Sequence, residues 1–186
     1  MKNFCIVLLS CFALQGCQVM SSPPPIVYHD LGSLPAPTSI AAKTRKVVHL
    51  QVSTQLDHAA TAITTRDMSQ PSIVSTLSAQ RWSDAIGVLV LRQIDNYATR
   101  DGLFVPHLAG DIGTADKYIS VKITTSEIQL NGSQYVGRVV FLVSDQDRPQ
   151  GTREIECSNA ASQLDVTTLI ESLNECVVKT TLWLGT

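Results

Sequence analysis

In two stretches, 118–130 (YISVKITTSEIQL) and 133–145 (SQYVGRVVFLVSD), apolar and polar positions alternate, with Ile119, Val121 and Ile123 interleaved with Ser120, Lys122 and Thr124. Period two is the mark of a strand with one buried face. Asn131-Gly132 between the stretches is the favoured dipeptide of a type I′ hairpin turn. A turn at 148–151 (RPQG) leads to a third run, TREIECS, so a three-stranded antiparallel meander is expected. Upstream, KVVHLQVS (46–53), a shorter run within 26–32 (IVYHDLG), and TAITTRD and SIVSTLSAQRW on either side of Pro71 also read as strands. A last short strand is expected over 103–108, before a Gly-containing turn region.

Period 3.6 replaces period two in two places. Over 84–99, Ile86, Leu89, Val90, Ile94 and Tyr97 fall on one helical stripe, with Ser83 placed as N-cap and Gly102 as the stop. Val88 and Leu91 widen the stripe, so this helix is expected to be largely buried across a sheet. Over 165–182, Val166, Leu169, Ile170, Leu173 and Val177 share a face. Thr168 with Glu171 forms a capping-box pattern there, and Asp165 offers a cap one turn earlier. Strands and a helix, then a meander closed by a helix, predict an α+β fold. The expected form is one domain, a mostly antiparallel sheet with two main helices packed on one face.

The N-terminus has a different character. Lys2, the apolar run 4–14 and Gly16 before Cys17 have the layout of a secretory signal over residues 1–16. The apolar run has 11 residues, short of the roughly 18 or more that a spanning helix needs. Leu14-Gln15-Gly16-Cys17 resembles the bacterial lipobox, with Gln15 where a small residue is usual. A plain secretory signal that happens to contain a Cys is the alternative. The lipobox implies acylation of Cys17, and Gln18 in place of an Asp implies the outer membrane, periplasmic face. Residues 17–25 then form the lipidated Cys and a Pro-rich tether, ending in three prolines, and 26–186 the folded domain.

Cysteine usage fits that compartment. Cys5 and Cys11 leave with the signal, Cys17 takes the lipid, and Cys157 and Cys176 remain as a pair for a disulfide in an oxidising space. Two buried thiols or a metal pair are the other readings. His29, His49, His58 and His107 are scattered without zinc spacing, so no metal and no cofactor are expected. Loss of Lys2 takes the net charge from 14 − 16 = −2 to 13 − 16 = −3, which argues against nucleic acid as a partner.

A search for catalytic constellations finds no GxSxG, HExxH or CxxC. Gly110 and Gly113 lack phosphate-loop spacing, and Asp57-His58 reads as solvated loop. No residue receives a catalytic assignment, and the chain is not expected to be an enzyme. Arg81-Trp82 reads as a core Trp covered by its Arg neighbour. Leu182, Trp183 and Leu184 cannot all face one core from one helix, so part of that triplet is expected at an interface.

The order of these features, with VYHDL, KVVHLQV, LDHAATAITTRD and AQRWSDAIGVLVLRQIDN, resembles the ABC-type transport auxiliary lipoproteins. Among them is the outer-membrane lipoprotein of the paraquat-inducible, MCE-type lipid transport systems. His29 stands where that family more often has a second Tyr. The resemblance implies a non-enzymatic adaptor on the outer membrane that docks a periplasmic MCE-domain protein and forms a homo-oligomer, in some members a ring. Trp183 and the 57–66 loop, with Asp57 and Arg66, are the interface candidates. A regulator of a cell-wall synthase and an envelope hydrolase are the alternatives.

Overall fold

The computed structural model describes residues 23–34, 46–56, 58–102, 104–106, 115–145 and 151–185. Eight strands and two helices follow in the order β1 (Val27–His29), β2 (Lys46–Thr54), β3 (Ala62–Asp67), β4 (Val74–Trp82), α1 (Ile86–Asp101), β5 (Phe104–Pro106), β6 (Lys117–Asn131), β7 (Gln134–Asp145), β8 (Thr152–Ala161) and α2 (Val166–Gly185). The fold is α+β, one sheet with two helices, as the periodicities predict. Cys17, Asp57, His107, Gly110, Gly113 and most of the 148–151 turn lie outside the described residues.

The sheet is mixed, which corrects the mostly antiparallel expectation. Among the described strands β1–β4, β2–β5, β2–β6 and β3–β6 pair in parallel, while β3–β4, β6–β7 and β7–β8 are antiparallel. Antiparallel neighbours are announced by short turns between them. Parallel partners lie far apart in the chain and leave no such local mark.

The 15-residue β6 is the spine. Along one edge it pairs with β7 over nearly its full length. On its other edge β2 occupies the first half, up to the pair Thr54 with Ile123, and β3 occupies the second, from Thr64 with Glu127. The sheet therefore forks at residues 124–126, where β6 also shifts register against β7 between Ile123 and Thr125. A bulge there bends the strand and lets its two halves serve different partners.

The apolar face of the sheet and the two helices enclose the core, with Ile63, Ile94, Val121, Ile123, Phe141, Leu169 and Leu173 at its centre. Trp82 is 1% exposed and belongs to it, while Arg81 turns back to donate to the carbonyls of Leu77 and Gln80. Val88, expected inside, is exposed on α1, because the buried stripe on that helix is narrower than its apolar composition.

Local signals differ in detail from the sequence reading. Asn131 pairs with Gln134, so the two-residue turn is Gly132-Ser133, with Gly132 at φ 63° and Asn131 on the ordinary side of the map. Gly at the first central position is the pattern of a type II′ turn, not type I′. Helix α1 starts one turn past Ser83 with no side-chain cap at Ala85. The Ser83 N–H instead donates to the His29 carbonyl, 2.8 Å away. At α2 the Asp165 carboxylate accepts from the Thr167 N–H at 2.8 Å, so the earlier of the two capping choices is the one used.

A polar clasp fixes the segment after β1. Gln93 Nε2 on α1 donates to the Gly32 carbonyl and to Asn174 Oδ1, and Asn174 Nδ2 on α2 donates to the Leu31 carbonyl. Leu31 is buried beside it. With His29 Nε2 hydrogen-bonded to Gln80 Oε1 at 3.0 Å, the short β1 is held to both helices and to β4.

Candidate functional site

Cys157 on β8 and Cys176 on α2 are joined in a disulfide, with Cα atoms 5.7 Å apart. Alternation turns Ile155 and Cys157 toward the helices, and Cys176 continues the buried face of Leu169, Leu173 and Val177. Both sulfurs are buried, so the bond staples α2 to the outermost strand of the meander and is shielded from reagents.

The sheet face away from the helices carries the charged side chains. Glu127 is opposite Arg138 in the β6–β7 ladder, and Arg66 is on β3 alongside. Arg66 Nε lies 2.9 Å from both Glu127 oxygens and Nη2 a further 2.9 Å from Oε2, while Nη1 donates to the Pro71 carbonyl. The hydrogen bond to Glu127 raises the Arg66 pKa further above its ordinary value. Gln129 Nε2 donates to Glu127 Oε1 at 2.8 Å. Arg138 Nε donates to Glu156 at 2.6 Å, which holds the Glu156 carboxyl below the usual range.

Arg66, Glu127, Gln129 and Arg138 border a groove of about 680 Å³ that opens at the fork of the sheet, with Gln55, His58 and Thr125 on its other sides. Its lining carries two arginines, Arg66 and Arg138, and one carboxylate, Glu127, while the partner of Arg138, Glu156, lies outside it. A groove of this kind offers hydrogen bonds to a polar partner. Glu127 and Arg138 were not picked out by sequence reasoning. The signal was weak, since Glu127 shares the phase of Ile119, Val121 and Ile123 until the register shift between Ile123 and Thr125, Arg138 precedes the apolar run 139–143, and the pairing across strands that makes them a unit is invisible in one dimension.

The interface candidates fall in different places. Arg66 sits inside β3, paired as above, while Asp57 lies outside the described residues. His58 is exposed. At the end of α2, Leu184 is buried, Leu182 is 39% exposed and Trp183 packs partly on the core. Successive residues on a helix point about 100° apart, so the triplet divides, with Leu182 as its exposed member. Leu182 and Trp183 line a second groove of about 570 Å³ with Ile155, Glu154 and Glu156 of β8. Strand β8 pairs only with β7 among the described strands, so this groove runs beside an open sheet edge.

Among the described residues no three His, Cys, Asp or Glu side chains converge to hold a metal. No described helix is long and apolar enough to cross a membrane.

No protein-family profile and no curated protein matches the sequence. Solved structures do match by shape. A Xanthomonas campestris protein assigned to DUF330 superposes with a TM-score of 0.66 at 11% identity, over 85% of this chain and 92% of that one. A structure described as an uncharacterized protein gives 0.58 at 9% identity, over 87% and 97%. A minor lipoprotein from Acinetobacter baumannii, 12% identical over 75% and 92%, gives 0.44, too loose a likeness to carry an argument. At these identities what is shared is architecture: the chain has the fold of the DUF330 structure.

Proposed function

We propose that the chain is a lipoprotein of the outer membrane, anchored at Cys17 on the periplasmic face. It acts there as a non-enzymatic docking subunit of an MCE-type ABC lipid transport system, self-associating as it does so. The observation that carries the reading is the lipobox-like Leu14-Gln15-Gly16-Cys17, set nine residues ahead of Ile26 and separated from it by three prolines. Acylation at such a cysteine supplies more than one chain, and stable anchoring needs that. The domain beyond the arm is small and closed around its own core. Its grooves, at the fork of the sheet and beside β8, are open clefts lined by charged and apolar side chains, as suits protein contact better than a buried reaction centre.

In-cell crosslinking and affinity capture of the tagged protein, with mass spectrometry of what comes down, tests the reading. Recovery of an MCE-domain protein with higher-order self-crosslinks is the expected result. Recovery of a cell-wall synthase, or of no envelope protein, would overturn the transport assignment. A Cys17→Ala protein that still fractionated with the outer membrane would overturn the anchor.

A further inference from the structure

Residues 23–28 are exposed without interruption, three prolines followed by Ile26, Val27 and Tyr28. The three apolar residues are 49%, 51% and 65% exposed. Single exposed apolar residues are ordinary, but three in succession, two of them on the outermost strand of a sheet and one leading into it, are the pattern that folded proteins usually avoid. Strand β1 is also well held. It hydrogen-bonds to β4, its end is fixed by the His29 contacts to Gln80 and Ser83, and the following Leu31 is clasped by Asn174. The apolar residues therefore project from a rigid support.

Their directions form a ridge. Tyr28 is the register partner of Arg81 and Val27 of Gln80, so Tyr28 and Val27 point to opposite faces of the sheet and the edge between them is apolar on both sides. Arg81 is the ladder neighbour of Tyr28, and its guanidinium turns back to the Leu77 and Gln80 carbonyls. A narrow apolar ridge that carries a tyrosine ring matches the headgroup level of a phospholipid layer, where tyrosine is enriched.

The covalent chain says which surface is within reach. Ile26 is nine residues beyond Cys17, a reach of about 28 Å at about 3.1 Å per residue in a proline-rich arm. Ile26 is where that arm enters the domain. The other exposed apolar residues near a common end, Met68, Ile73 and Leu164, lie by the far end of β4, about 20 Å along the strand from the residues that pair with β1.

We propose that the β1 edge rests on the phospholipid surface that holds the anchor, with Ile26, Val27 and Tyr28 at headgroup level. The domain then stands edge-on to the membrane, with β7 four strands removed from it. This rests on the Cys17 anchor proposed above.

The test uses the full lipidated protein, purified from membranes and reconstituted in phosphatidylethanolamine and phosphatidylglycerol vesicles that contain nitroxide-labelled lipid. A small fluorophore is placed at Tyr28→Cys, at Ile26→Cys in a second protein, and at Gln134→Cys on the exposed β6–β7 turn as control. Quenching at 26 and 28 is expected to exceed that at 134 by about twofold, as for groups within about 10 Å of the headgroup boundary. Equal quenching at all three positions would overturn the contact. So would labels at 26 and 28 that are shielded from both lipid nitroxide and aqueous iodide, since a second copy would then cover the ridge. The mass of the N-terminal peptide separates the two readings. An unmodified Cys17 would sink the anchor and this contact together, whereas an acylated Cys17 without the quenching contrast would sink the contact alone.

Discussion

Gly137 on β7 lies directly beneath Thr168 of α2: a β-carbon at Gly137 would stand 2.6 Å from the Thr168 carbonyl carbon and oxygen and from the Leu169 nitrogen. The obstruction is backbone, which cannot rotate aside. Ser172 Oγ closes the same contact by donating to the Gly137 carbonyl at 2.7 Å while accepting from Asn159 Nδ2. The first turn of α2 thus sits on the meander at a distance only a glycine allows. Gly137→Ala should lift that turn and cost about 3 kcal/mol. A denaturant midpoint unchanged from the parent would show that the helix can slide without loss.

Arg66 and Glu127 make a second tight relationship, with opposite exposure: the Glu127 side chain is 8% exposed and that of Arg66 28%. Removing the cation strands a nearly buried carboxylate, and this, more than the lost attraction, sets the cost. Arg66→Met should destabilise by on the order of 2 kcal/mol, intermediate between surface and fully buried pairs. Adding Glu127→Leu should recover much of that loss, because no unpaired charge then remains. A double variant as unstable as the sum of the two single ones would mean that the pair is uncoupled.

How much of this was readable follows from how far each relationship reaches along the chain. The meander, both helices and the division of 61–82 into two strands were legible, because period and breakers act over a few residues. Gly137 sits in a strand with no local reason to be glycine, since its reason lies in the Thr168–Leu169 backbone some 30 residues on. Glu127 looks like any polar strand residue until β3 is brought beside β6 in parallel. The choice of Asp165 over Thr168 as cap depended on where, within one turn, the helix begins, and that of Gly132-Ser133 over Asn131-Gly132 as turn on one-residue register, and pattern fixes neither.

Asp95 on α1 has a half-buried carboxyl whose Oδ1 is buried without a hydrogen-bond partner. Burial pushes its pKa up. The folded chain therefore keeps this proton to higher pH than the unfolded chain. Stability is fully present below the unfolded value and falls as pH rises through the folded one. Asp95→Asn removes the charge without removing the shape. The variant should be more stable than the parent at pH 7, with the difference closing as pH drops below about 4, the ordinary carboxylate value. Thermal melts across that range decide it, and a difference that did not vary with pH would assign the effect to packing instead.

The disulfide joins two elements that depend on one another unequally. Strand β8 has a neighbour on one side only among the described strands, and its inner face is covered by α2. Helix α2 rests on both β7 and β8. The bond spans 19 residues of sequence, a loop worth about 3 kcal/mol through restriction of the unfolded chain. Replacing both cysteines by alanine should lower stability by about that amount. The loss should be uneven in space: amide exchange in β8 should quicken by more than in β7, which keeps β6 on its far side. An equal loss of protection in both strands would mean that the meander opens as one unit and that the bond serves the whole domain rather than its edge.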